Sequence, residues 1–356
     1  MALLSFGAAR SIVGVDIGTT SIKIVELVRG KPVSRLVTYG ILETHGYLTR
    51  PNEAIQASTL RLSEENTASY LKLVVSRAGV KTKRAVASIP AFLAFSTLVE
   101  VPTTSESEIK KFVEHQAKQY IPLPMASVAF DWVKVGERTE AGAVKSQVLL
   151  IAIPTEHVER YRRVFAAAGL DLELVELEGM SHARALAAGA DEQVLIIDVG
   201  SRSTSISVAQ NGFLKFSSQT DFAGGSLTHL IARGLNINAR RAEDLKKQRG
   251  LSGFGGQHEL STLMTPTLDV ILNEAKRVRA SYESAYGGNV SRIVLTGGGS
   301  LLVGFTEYAG KQFDVPVEQA NPLARIIYPG ALTPIEAQTG AFLSVALGVA
   351  LRAVVR

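Results

Sequence analysis

Two stretches of the chain alternate apolar and polar residues around a short turn of glycine and hydroxyl residues, and each mirrors the other. Val13 to Val25 reads VGVDIGTTSIKIV, and Leu195 to Val208 reads LIIDVGSRSTSISV. Alternation on both sides of a Gly/Ser/Thr turn predicts a β-hairpin, because successive strand side chains point to opposite faces. Each copy carries an aspartate at the end of its first strand, Asp16 or Asp198. A long-range repeat of this kind implies two similar lobes facing one ligand. The plainer alternative is a pair of structural hairpins with solvated aspartates.

Between the copies, strands and helices alternate. Val86 to Ile89 and Phe95 to Val101 read as strands. Ser105 with Glu108 is the pattern of a capping box opening a helix, with Ile109, Phe112, Val113 and Tyr120 on one face and Pro122 and Pro124 ending it. Val128 to Val135 and Gln147 to Ile153 read as strands, and Thr155 to Ala168 as a helix stopped by Gly169. Together these form a small α+β insert. Beyond the second hairpin the pattern is mostly helical, most clearly from Thr267 to Tyr286. Arg292 to Leu295 then forms a strand leading into Gly297-Gly298-Gly299. The last helix, Glu336 to Arg352, is apolar almost all round, which predicts burial between other elements.

Composition narrows the setting. The 356 residues suit two lobes of ordinary size, and 46% hydrophobic with 20% charged residues is enough to build a core. There is no cysteine, which removes disulfides and thiolate metal sites and fits a reducing compartment. His45, His115, His157, His182, His229 and His258 show no metal-ligand spacing, so structural or surface roles are expected. The net charge of +5 comes from short basic clusters with only 6% aromatic residues, which does not suit nucleic-acid binding. The apolar run Ala337 to Leu351 falls short of the roughly 18 to 20 residues of a spanning helix, and Met1 to Arg10 is too weakly apolar for a leader. The expected location is the cytoplasm.

The paired hairpins also suggest chemistry. Turn backbone N–H groups and threonine or serine hydroxyls can donate to phosphate oxygens. Asp16 and Asp198 facing each other would repel unless a cation such as Mg²⁺, held largely through water, lay between them.

In this order the pieces resemble the actin, heat-shock chaperone and sugar kinase superfamily over nearly the whole chain. Asp16 to Lys23 is similar to its first phosphate motif, and Glu178 to Ala183 to its first connecting motif. Asp198 to Val208 is similar to the second phosphate motif, Thr296 to Gly304 to the adenosine motif and Thr339 to Leu351 to the last connecting helix. The resemblance implies an actin-like (ribonuclease H-like) two-lobed α/β fold. Residues 11–92, 171–192 and 336–356 would form the first lobe, with 93–170 inserted into it. Residues 193–220 and 287–335 would form the second lobe, and 221–286 its helical subdomain.

It also implies ATP with Mg²⁺ in the cleft, with Asp16 and Asp198 on the metal side. Gly18, Thr19, Thr20, Lys23, Gly200, Ser201, Gly224 and Gly225 would lie around the phosphates. Glu243 and Lys246, on one face of a helix from Ala239 to Arg249, would flank ribose and adenine. Gly297, Gly298 and Gly299 let the backbone approach the nucleotide closely. Glu178 aligns with the acidic residue that orients the attacking water, although a glycine follows where relatives often carry proline. Ser201-Arg202-Ser203 replaces the usual glycine-rich stretch, so Arg202 would either block close approach or add a phosphate contact. Binding is therefore the firmer expectation, with at most slow ATPase activity.

The position of the insert, with Ile89-Pro90-Ala91-Phe92, Glu100-Val101-Pro102, Glu114 to Pro124, Phe222 to Gly225, Phe313 to Val317 and Asn321-Pro322, closely resembles the PilM family of type IV pilus assembly. The chain stops at Arg356, where FtsA relatives continue into a linker and an amphipathic helix. Membership would imply a scaffold peripheral to the inner face of the cytoplasmic membrane. It would bind the N-terminal cytoplasmic peptide of PilN in a groove between the first lobe and the insert, and reach the membrane only through that partner. Self-association, as in FtsA-like polymerisation, and small-molecule kinase activity are the competing expectations.

Overall fold

The computed structural model describes residues 11–44, 63–140, 142–189, 191–251 and 258–354. The opening residues 1–10, His45 and the terminal Arg356 lie outside them, as does the side chain of His258.

The repeat seen in the sequence becomes two five-stranded sheets of the same topology. The first holds β1 (Ser11–Ile17), β2 (Ser21–Val28), β3 (Arg35–Glu43), β4 (Arg84–Ile89) and β8 (Asp171–Leu177) in the order β3-β2-β1-β4-β8. The second holds β9 (Gln193–Val199), β10 (Thr204–Gln210), β11 (Phe213–Thr220), β12 (Val290–Thr296) and β13 (Val317–Gln319) in the order β11-β10-β9-β12-β13. In each, three antiparallel strands are extended by two parallel ones. The hairpins occupy equivalent slots: Asp16 lies opposite Lys23, and Asp198 opposite Ser205.

The segment after the second hairpin, expected to be mostly helical, instead begins with β11. Asn211 and Gly212 both take positive φ, 52° and 79°. That is the tight-turn chemistry by which Asn-Gly returns a chain on itself.

The insert is a three-stranded sheet, β5 (Phe95–Val101), β7 (Ala143–Pro154) and β6 (Val128–Glu140), covered by a helix, Glu106–Tyr120. Its separate core contains Val99, Ile109, Val113, Val148 and Leu150. The expected capping box does not form. Glu108 accepts from the Thr103 hydroxyl, and Ser105 turns its own hydroxyl to Ser107. Tyr120, expected on the buried face, is exposed.

In chain order the helices are α1 (Glu64–Arg77), α2 (Glu106–Tyr120), α3 (Thr155–Ala168), α4 (Glu178–Leu186), α5 (Gly224–Gly234), α6 (Ala239–Arg249), α7 (His258–Tyr286), α8 (Phe305–Gly310) and α9 (Glu336–Val354). The helix α3, expected within the insert, packs instead on α1 and β8, burying Tyr161, Val164 and Phe165 in the core of the first lobe. Its apolar stripe fits that sheet face, so the insert ends at β7. The helix α7 starts before Thr267 and runs through Pro266. Burial of Met264 and Leu268 on either side offsets the missing backbone N–H.

The stretch Gly330–Val354 forms 25 helical residues and is long and apolar enough to cross a membrane by length and composition, contrary to expectation from the apolar run alone. Most of it is buried in the protein. Within it, α9 packs against β1, β2, β4, β12 and α4. Being enclosed on every side explains why it is apolar on every face.

The insert also reaches the second lobe. Lys215 Nζ on β11 donates to Val135 O at 2.6 Å and Gln147 Oε1 at 3.1 Å, and Arg138 donates to Ala285 O at 2.9 Å.

Candidate functional site

A cavity of about 550 Å³ opens between the lobes, and every residue singled out for nucleotide, metal or catalysis lines it. That size lies within the ~300–1,000 Å³ typical of small-molecule sites. Each hairpin turn is closed by the same hydrogen bond, Gly18 N–H to Ser21 O at 2.9 Å and Gly200 N–H to Ser203 O at 3.1 Å. This leaves Thr19, Thr20, Ser201 and Arg202 at the cavity wall. The triple glycine follows β12, and Gly297 has φ of 81°. A Cβ there would overlap the Asp198 carboxylate, so the close approach of this turn to β9 requires glycine.

On the second-lobe side, α5 is zipped onto the second turn. Gly224 N–H donates to Gly200 O and Gly225 N–H to Ser201 O, both at 2.9 Å. Lys246 Nζ donates to Gly224 O at 2.9 Å, Thr228 Oγ1 at 2.8 Å and Glu243 Oε2 at 2.6 Å. An ammonium has three donors. Two of Lys246's brace the start of α5 and the third pairs with Glu243 on its own helix α6, and Glu243 also accepts from Thr228. Lys246 thus shapes this wall in the structure through the backbone it holds.

The floor concentrates charge. Lys23 Nζ meets Asp16 Oδ2 at 2.8 Å, and the Ser88 hydroxyl lies 3.3 Å from Asp16 Oδ1. Glu178 opens α4 and accepts from Ala91 N–H at 3.2 Å. Burial pushes the Glu178 carboxyl up to about 8, reinforced by the charges of Asp198 and Asp16. Burial likewise raises Asp198 above the usual carboxylate range, partly offset by His182 and Lys23. Three carboxyl groups thus share a low-dielectric floor with one lysine, and a cation placed there would favour their charged forms. Among the described residues, no group of three or more His, Cys, Asp or Glu side chains is gathered to bind a metal directly. Asp16 and Asp198 both line the cavity, one from each lobe, and two facing carboxylates are a donor set that fits a cation.

Two residues at the cleft take roles that the sequence pattern did not give them. Arg202 lines the cavity, and its guanidinium stacks 4.4 Å from the Phe92 ring centroid. That contact ties the second phosphate-type turn to the root of the insert. His182, expected to be structural or at the surface, is fully buried beneath the floor, with Nε2 3.8 Å from Asp198 Oδ2. Its spacing of four from Glu178 on one helix was the available signal.

A family described as type IV pilus assembly protein PilM matches residues 14–354. The chain belongs to the PilM family. A solved PilM–PilN type IV pilus biogenesis complex contains a chain with TM-score 0.81 at 22% identity, covering 97% of this chain and 99% of that one. MreB 5 of Spiroplasma citri bound to AMPPNP follows the same fold with TM-score 0.53 at 13% identity, covering 95% of this chain and 94% of that one. By sequence, cell division protein FtsA of Pseudomonas aeruginosa is 22% identical over 367 residues, covering 90% of this chain and 85% of the relative. The shared architecture is the actin-like two-lobed α/β fold. Within this PilM-family chain, the repeated hairpins are the parts that face each other across the cleft.

Proposed function

We propose that this PilM-family chain is a cytoplasmic scaffold of type IV pilus assembly, peripheral to the inner membrane, that holds Mg²⁺-ATP in the interlobe cleft and a PilN-like N-terminal peptide in a second groove. The observation that carries the first half is the convergence of both hairpin turns and the triple glycine on one cavity. Solved neighbours with AMPPNP or ADP support a nucleotide there. Asp16 and Asp198 would hold the cation through water, and Lys23 would face the phosphates. The cation would supply charge neutralisation between the carboxylates and the phosphate oxygens. Glu178 lines the same cavity, its carboxyl raised by burial to about 8, and would orient a water there; binding, with at most slow turnover, is the reading we adopt.

The groove, about 940 Å³, runs between β6 of the insert and β8 of the first lobe, with the β10–β11 turn at one end. Both β6 and β8 are outer strands of their sheets. Apolar side chains such as Phe130, Trp132, Leu174 and Met180 line it. An extended peptide suits such a groove, since strand edges offer backbone hydrogen bonds and the pockets read side chains. The neighbouring PilM–PilN complex supports PilN as the source of that peptide. Because the groove includes second-lobe residues, nucleotide-dependent movement of the lobes would alter it, provided the two states differ in peptide affinity.

The test is a titration of the purified protein with the PilN N-terminal peptide, with and without Mg²⁺-ATP, alongside Asp16→Ala. Tight peptide binding, with nucleotide binding lost in the variant, is the expected result. Intact ATP binding with no peptide binding would remove the partner assignment and turn attention to FtsA-like polymerisation, measured by sedimentation with ATP and vesicles.

A further inference from the structure

His182 occupies an unusual position between the lobes. It sits on α4, which continues from the first-lobe strand β8, while Asp198 ends β9 of the second lobe. The imidazole is fully buried, and neither ring nitrogen has a hydrogen-bond partner in the structure. Nε2 stops 3.8 Å from Asp198 Oδ2, just beyond hydrogen-bond range. The hydroxyl of Ser205, opposite Asp198 in the strand ladder, is also buried without a partner. Unpartnered buried polar atoms are rare because each forfeits its hydrogen bonds to water. Two of the residues that carry them, His182 and Ser205, are neighbours of Asp198 across the lobe junction and in the strand ladder. The surroundings of Asp198 thus offer donors that make no hydrogen bond in this structure.

We propose that His182 is a positioning residue for Asp198: its Nε2–H closes onto the carboxylate when the cleft takes up Mg²⁺-nucleotide. The movement required is under 1 Å of approach between α4 and β9, on the order of the small shifts that hinge motions make. The contact aims the other carboxylate oxygen into the cleft and fastens the first-lobe helix to the second-lobe strand. This inference rests on the nucleotide reading of the cleft and assigns His182 a role there.

Two measurements on the full chain test it. The first compares the affinity of a fluorescent ATP analogue with Mg²⁺ and with EDTA, for the wild type, His182→Leu and His182→Gln. The leucine variant should lose about tenfold of the Mg²⁺-dependent gain in affinity, the size expected of a hydrogen bond to a charged group, and glutamine should restore part of it. A purely structural histidine would lower the melting temperature of both variants and leave the Mg²⁺-dependent gain intact, which would overturn the proposal. The second keeps the test open if the variants fold poorly. In wild-type protein labelled with ¹⁵N-histidine, the His182 Nε2 signal should shift on adding Mg²⁺-AMPPNP, and an unchanged signal at saturation refutes the contact. A wild type that binds no analogue under either condition overturns the nucleotide reading itself, and this inference with it.

Discussion

Lys215 offers a direct test of how the insert is fastened to the second lobe. The residue is 4% exposed, and its ammonium donates to two neutral acceptors, Val135 O at 2.6 Å and Gln147 Oε1 at 3.1 Å. Burial pushes its pKa down from 10.5 to about 8, and no carboxylate among the described residues offsets that. At ~1.36 kcal/mol per pH unit, holding the charged form inside costs about 3 kcal/mol. The two hydrogen bonds return ~1 kcal/mol each. Proton binding sets the sign. Below about pH 8 the lysine is protonated in both folded and unfolded chains, and the full cost is present. Between about 8 and 10.5 the folded protein releases its proton first, so stability rises with pH.

Lys215→Met keeps the length and removes the charge. At neutral pH the variant should lie within about 2 kcal/mol of the wild type, because relief of the buried charge is set against two acceptors left unpaired. Its clear signature is the slope. Urea titrations from about pH 7.5 to about pH 10 should show the wild type gaining stability relative to the variant, by up to about 3 kcal/mol. Parallel curves would refute the buried, unpaired placement of this lysine.

Glu178→Gln should stabilise the nucleotide-free protein by roughly 4 kcal/mol near pH 8, with the difference vanishing toward pH 4.5; the raised carboxyl costs the wild type stability as pH climbs between those limits, and denaturation at several pH values reads it. Gly348→Ala should destabilise by about 3 kcal/mol, since a Cβ there would overlap the Ser181 carbonyl oxygen where α9 crosses α4; chemical denaturation measures it. Glu176→Leu should cost about 3 kcal/mol in the same assay, because Glu176, 1% exposed, pairs with Arg184 at 2.6 Å and Arg352 at 2.9 Å, and both guanidiniums would lose their charge partner.

The repeat and its architectural consequences are legible in the sequence alone. Alternation around Gly18 and Gly200 wrote two hairpins, and two hairpins in equivalent slots wrote two sheets of one topology. The glycines at 297–299 and the uniformly apolar α9 were equally apparent, because backbone freedom and all-round burial each leave a short-range mark on composition. Even there, local signals could be overlooked, as with Asn211-Gly212, or overridden, as when Thr103 took Glu108 from its cap.

Packing in three dimensions settled the rest. It gave α3 to the first lobe, stacked Arg202 on Phe92 and set Lys246 to brace the start of α5. It also set Lys215 against the insert and His182 against Asp198. These contacts join residues far apart in the chain, or draw on donors whose use depends on three-dimensional neighbours. Periodicity reports which face of an element is buried, but not what that face will meet. The charge balance of the cleft floor is of the same kind: Asp16, Glu178 and Asp198 are ordinary carboxyl groups in the sequence, and only the fold buries them together, which pushes Glu178 and Asp198 upward.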